Sequence, residues 1–245
     1  MLDIMGSILV GVALAAILTA ITSFVPIRLS TRLILAGTAG AWVGFAGAVA
    51  GAGALSNPLT VLALFGTPLI AGAAIVLGVP AARRAFSAIP LPVLIGLNAV
   101  RLGGILFLML ALAGRLSGPF PYFAGVGDFV TGALAIPVAW LAARESSLRE
   151  RSIAAWNAFG AVDLIVAVTL GLISRNGSPL QLIHAGVGSA AMQTLPWAFV
   201  PMVLVPLDII IHVVIFTRLK KDSASSESSE SSERSGSLKR APRPA

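Results

Sequence analysis

Five side chains able to hold a charge or a proton stand inside otherwise apolar stretches: Arg101, Asp128, Asp163, Asp208 and His212. A guanidinium in apolar company needs carboxylate partners, and a surplus carboxylate or imidazole beside it can relay a proton or hold a small cation. Arg101 organises the set. It lies near the middle of LPVLIGLNAVRLGGILFLMLALAG, from Leu91 to Gly114, a run long enough to cross a bilayer, which takes about 20 residues. At that depth a guanidinium is costly and faces protein or water, so its partners come from other helices. Asn98 precedes it at i,i+3, and Asp208 and His212 stand at i,i+4, so each pair shares a helix face. Asn157 sits near the start of the stretch that carries Asp163.

A helical rise of 1.5 Å per residue places Arg101 roughly 16 Å from the cytoplasmic end of its helix, with Asp163 about as deep. Asp208 falls roughly 15 Å from Arg218, in the same middle layer. Asp128 falls in the outer half, and Asn98, Asn157 and His212 toward the inner side. The expectation is a polar column enclosed by spans four to seven, with Arg101 bridging Asp163 or Asp208. A helix staple needs one carboxylate, whereas this chain offers three to one arginine. The function that follows is transport of a small solute or ion coupled to protonation of the column. The alternatives are a structural or assembly subunit whose ion pair is only a staple, and a haem- or quinone-binding subunit using a single axial His212. No cofactor and no metal site is predicted.

Other chemistry finds little support. His184 falls in an external connection, so it and His212 cannot clasp one iron from opposite faces. No HExxH and no Ser–His or Ser–Lys motif appears, and the only protease geometry that depth allows is a dyad of Asp163 and Asp208. GVGDFVTG lacks the lysine of a phosphate loop. Lysine is absent before Lys220, which removes a retinal Schiff base, and cysteine is absent altogether.

The elements that must position these groups are apolar spans. The chain of 245 residues is 57% hydrophobic and 11% charged, with a mean hydropathy of +0.94. Soluble domains are nearer 45–50% apolar and about 25% charged, so the fold class is all-α, a polytopic transmembrane bundle of about seven spans whose surroundings are the lipid bilayer. The formal charge of +7 lies mostly in short loops and the tail, where it reads as a topology signal rather than a nucleic-acid surface. Spans are expected at Ile4–Val25, Leu33–Leu55, Leu59–Val79, the Arg101 run, from about Tyr122 to Ala143, Ser152–Ser174 and Pro196–Thr217. Residues 175–195 are too polar to span and suit a short interfacial or re-entrant helix. Trp140, Trp156 and Trp197 fall near span boundaries and read as interface anchors. The domain division is 1–221 for the membrane body and 222–245 for a disordered Ser/Glu-rich cytoplasmic tail.

In the second span Gly37, Gly40, Gly44, Gly47 and Gly51 line one face at spacings of three and four. Small residues let helices approach closely in lipid, so this stripe is expected to pack within the chain, or else to form a homodimer seam. Basic residues alternate between connections: Arg28 and Arg32, Arg83 and Arg84, then Arg144, Arg149 and Arg151 stand on one side with the start of the tail. The positive-inside rule then puts the N-terminus outside and the C-terminus in the cytoplasm.

At RLGGILF, FPYFAGVGDFVTG, WNAFGAVDLIVAVTLG and LPWAFVPMVLVPLDIIIHVV the chain resembles uncharacterised bacterial multi-pass membrane proteins. The resemblance covers roughly residues 91–217. It implies a helical bundle in the bacterial inner membrane and brings no activity, substrate or cofactor with it.

Overall fold

The computed structural model describes residues 1–26, 28–144, 146 and 148–221, so the tail expected at 222–245 lies outside the described residues. These residues form helices and turns with no strand among them. Seven helices are long and apolar enough to cross a membrane. In chain order the helices are α1 (Leu2–Phe24), α2 (Leu29–Gly51), α3 (Pro58–Gly78), the short α4 (Pro80–Ala88) and α5 (Leu91–Leu112). They continue with α6 (Phe120–Ala142), α7 (Arg149–Ile173) and α8 (Val200–Lys221). Each expected span has its helix. The exception to the expected pattern is α4, which carries the exposed Arg83 and Arg84 on about two and a half turns outside the spans.

Burial separates a centre from a rim. Over its most apolar stretch α8 is 56% buried, whereas α2 and α3 are 11% buried, so α5 to α8 make the core and α2 and α3 lie against its side. Ile89, Leu94, Ile95, Ile153, Val214 and Ile215 fill the core at the end where α5 begins and α8 finishes. Leu106, Leu110, Leu116, Phe120 and Trp197 fill it at the opposite end.

The arginine helix is not uniformly α-helical. Its middle, Asn98–Gly104, is a 3-10 segment between α-helical Leu91–Leu97 and Ile105–Leu112. Asn98 accounts for the switch. Its side-chain amide donates to Leu94 O at 3.2 Å, while its backbone N–H turns to Ile95 O and Gly96 O. An amide that occupies the i−4 carbonyl competes with the α-helical ladder. The helix α8 opens with a π-type segment, Val200–Leu204. Pro206 has no N–H to offer the carbonyl four residues back, and Trp42 Nε1 of α2 donates to that Met202 O at 3.2 Å. A proline defect in one helix thus fastens the rim to the core.

The connection 175–195 departs from expectation. It holds turns and one 3-10 turn, Ala190–Gln193, instead of an interfacial helix. Side chains pin it: Ser189 Oγ donates to Gly171 O at 2.7 Å, Asn176 Nδ2 donates to Gly186 O at 2.7 Å, and Ser117 Oγ donates to Ala185 O. With those polar groups already satisfied locally, helix formation has little left to gain.

The tryptophans also correct their prediction. Only Trp140 is exposed, with the Arg144 guanidinium 3.6 Å over its ring. Trp156 and Trp197 are buried, Trp156 donating to Thr131 O at 3.0 Å and Trp197 to Asp3 Oδ1 at 2.7 Å. Asp3 also accepts from Arg115 at 2.7 Å, which ties the start of α1 to the end of α5. Sequence depth alone could not tell a lipid-facing indole from one turned inward. The glycine stripe of α2 does not pack within the chain as expected: a Cβ at Gly37, Gly40, Gly44 or Gly51 would meet nothing within 4 Å. Only Gly47 has a neighbour, Phe199, because α2 lies on the rim with most of this face outward.

Candidate functional site

Three residues per turn decide what α5 shows to the core. In a 3-10 helix positions i and i+3 eclipse, so Asn98, Arg101 and Gly104 fall on one line, and all three are buried. That line meets α6 at close range. A Cβ at Gly104 would sit 2.6 Å from Gly125 O and from Asp128 Cβ, and one at Gly132 would sit 2.9 Å from Arg101 C. Glycines on both helices therefore let the α5 and α6 backbones nearly touch around Arg101, the mode of packing that lipid favours.

Arg101 is 4% exposed and its guanidinium is fully engaged. Its Nε donates to Asp128 Oδ1 of α6 at 2.7 Å, and its Nη2 donates to Asp163 Oδ2 of α7 at 2.6 Å. Both Nη atoms reach Gly160 O, at 3.3 and 3.4 Å, and Nη1 meets His212 Nε2 of α8 at 3.0 Å. Arginine has no acceptor, so Nε2 accepts and the imidazole proton is on Nδ1. That Nδ1 lies 2.7 Å from Asn157 Oδ1, which accepts, while Asn157 Nδ2 donates to His212 O at 3.1 Å. Four helices are thereby joined through one cation. The Trp156 ring stands 5.5 Å from the imidazole and closes that side.

The partner expected for Arg101 is corrected in part. Asp163 is bound, but the second carboxylate is Asp128 and not Asp208. A uniform α-helical rise placed Asp128 in the outer half, whereas the 3-10 segment climbs about 2.0 Å per residue and an arginine side chain adds its own reach. Asp208 is buried at 7% exposure, takes no hydrogen bond from any described residue, and lines a small cavity together with Arg101 and Asp128. Nor does Asp208 bond to His212 one turn on. Asn98 lies on the arginine's line but bonds back to its own helix, and its Oδ1 has no partner. His184 is exposed in the 175–195 connection, far in sequence and setting from the buried His212. Both ring nitrogens of His212 are taken, so neither is free to ligate iron in this arrangement.

Sequence reasoning missed the glycines that make room for the cluster. A Cβ at Gly160 would lie 2.6 Å from His212 Cε1, and one at Gly127 would collide with the Asp163 carboxylate. The signal was present in GVGDFVTG, whose glycines matter as sites of close approach rather than as a phosphate loop. Among the described residues no group of three or more His, Cys, Asp or Glu side chains is arranged to hold a metal ion.

No curated protein and no solved structure matches the chain. A family model does match, over residues 58–220, from the start of α3 almost to the end of α8 and across every member of the Arg101 cluster. The chain belongs to that family, described as a domain of unknown function, DUF8737.

Proposed function

We propose that the chain is a multi-pass protein of the bacterial inner membrane, and that protonation of the Arg101 cluster is coupled there to movement of a small solute or ion. The observation that carries this reading is the third carboxylate. Arg101 already has Asp128 and Asp163, yet Asp208 is buried beside a cavity shared with Arg101 and Asp128, takes no hydrogen bond or close ion pair from any described residue, and feels the arginine only at longer range. One guanidinium cannot balance three carboxylates in low dielectric, and an uncompensated buried charge costs several kcal/mol. A proton that comes and goes at Asp208 would relieve that excess, and the cavity gives it a place to exchange.

The test is flux. Proteoliposomes carrying the full chain and an internal pH dye should show proton movement under an imposed pH gradient. Asp208→Asn should reduce it at least about ten-fold, the rate equivalent of 1.4 kcal/mol. Flux no greater than in empty vesicles, or equal in wild type and Asp208→Asn, would overturn the proposal. A second reading, a non-catalytic assembly subunit, is favoured by the saturation of the guanidinium, whose Nε and both Nη atoms are bonded. That reading accounts for Arg101 and leaves Asp208 without a role.

A further inference from the structure

A long apolar cleft runs beside the cluster, bounded by α3, α5, α6, α7 and the start of α8. Phe65, Phe107, Phe120, Leu164 and Val168 line it, with Asp128 as the acidic group it reaches. Its cavity volume is about 90 Å3 and part of it is open to the surroundings, so it is a narrow groove that takes an extended chain more readily than a bulky ligand. Arg175, Ser189 and Gln193 line the cleft where α7 ends.

Arg175 does not behave as a loop arginine. It is 4% exposed and makes no ion pair with any described residue. One Nη donates to Leu55 O, while Nη1 is buried without a partner. Burial lowers its pKa from the ordinary arginine value, and no acidic neighbour offsets that effect. A buried guanidinium with an unfilled donor and no carboxylate beside it favours an anionic acceptor. The length of the apolar lining says what kind: it runs along α7 from Leu164 to Leu172, roughly 12 Å of helix ahead of Arg175, against about 15 Å for one leaflet of a 30 Å hydrocarbon core.

We propose that this cleft binds a single-chain anionic amphiphile, its carboxylate or phosphate on Arg175 and its hydrocarbon chain lying among the phenylalanines toward Asp128. The head group would complete Arg175, and the chain would fill a cleft that water has little reason to enter. This site is separate from protonation at Asp208, and either can fail without the other.

The experiment is native mass spectrometry of the full chain released from detergent, titrated with palmitate, 1-palmitoyl-lysophosphatidate and the neutral control hexadecanol. Saturable binding of at least one anion, about ten-fold tighter than hexadecanol, is expected. Preference between the two anions identifies the head group. Arg175→Gln should erase the advantage over hexadecanol, and Arg175→Lys should keep part of it. Val168→Trp, which fills the cleft and leaves Arg175 alone, should weaken palmitate, lysophosphatidate and hexadecanol together. It also decides the matter if Arg175→Gln does not remain folded. Equal binding of hexadecanol and both anions, non-saturable uptake of all three, or undiminished binding to Val168→Trp would overturn the proposal.

Discussion

Arg101 shows how one side chain can impose an arrangement on helices that are distant in sequence. Its guanidinium bonds to α6 through Asp128, to α7 through Asp163 and Gly160, and to α8 through His212. Arg101→Met removes the cation and strands two carboxylates, and is expected to cost about 3–5 kcal/mol in unfolding of the detergent-solubilised protein. Asp208→Asn strands nothing and should leave stability within about 1 kcal/mol, although it should reduce proton flux at least about ten-fold. The contrast separates an ion pair that holds helices from a carboxylate that does not. The arginine and Asp163 were legible as charges in apolar runs, because lipid leaves such groups few options. The choice of Asp128 was not legible, since it depends on a local change of helix type that no hydropathy pattern records.

Among the elements, glycine content means opposite things on different helices. On α6 and α7 it opens space for the cluster, and Gly160→Ala should cost about 1–3 kcal/mol by forcing a methyl group against His212. On α2, Gly40→Ala and Gly44→Ala meet nothing within 4 Å and should leave the monomer unchanged or up to about 1 kcal/mol more stable. Parallel melting curves of the three variants check both outcomes. Sequence spacing made the α2 stripe the more conspicuous of the two, yet the glycines that matter to the cluster are spread over α5, α6 and α7. A regular interval on one helix is easy to read; complementarity between helices appears only when they are packed. The same limit explains Trp156 and Trp197, whose positions along the chain were near helix ends while their faces were turned inward.

For the whole molecule, span number and helix positions were legible because about 20 apolar residues in succession have one good solution in lipid. Orientation was read from charge and is checked by labelling, which is straightforward in a chain with no native cysteine. Single cysteines at Ser56 and Asn176 should react with an impermeant maleimide from outside intact cells. Cysteines at Ser87 and Ser146 should react only after the membrane is opened. The opposite pattern would invert the topology and put the Arg175 end of the cleft on the cytoplasmic face.

The seven 3-10 residues of α5 also act as the thread of a screw. At 3.0 residues per turn and about 2.0 Å per residue, this stretch is overwound and drawn out relative to the α-helix on either side. Rewinding it as α-helix would retract Leu91–Leu97 by roughly 3.5 Å and rotate it by about 140° against Ile105–Leu112. Arg101 sits in the middle of that thread, so no such turn can occur while its grip on Asp128 and Asp163 persists.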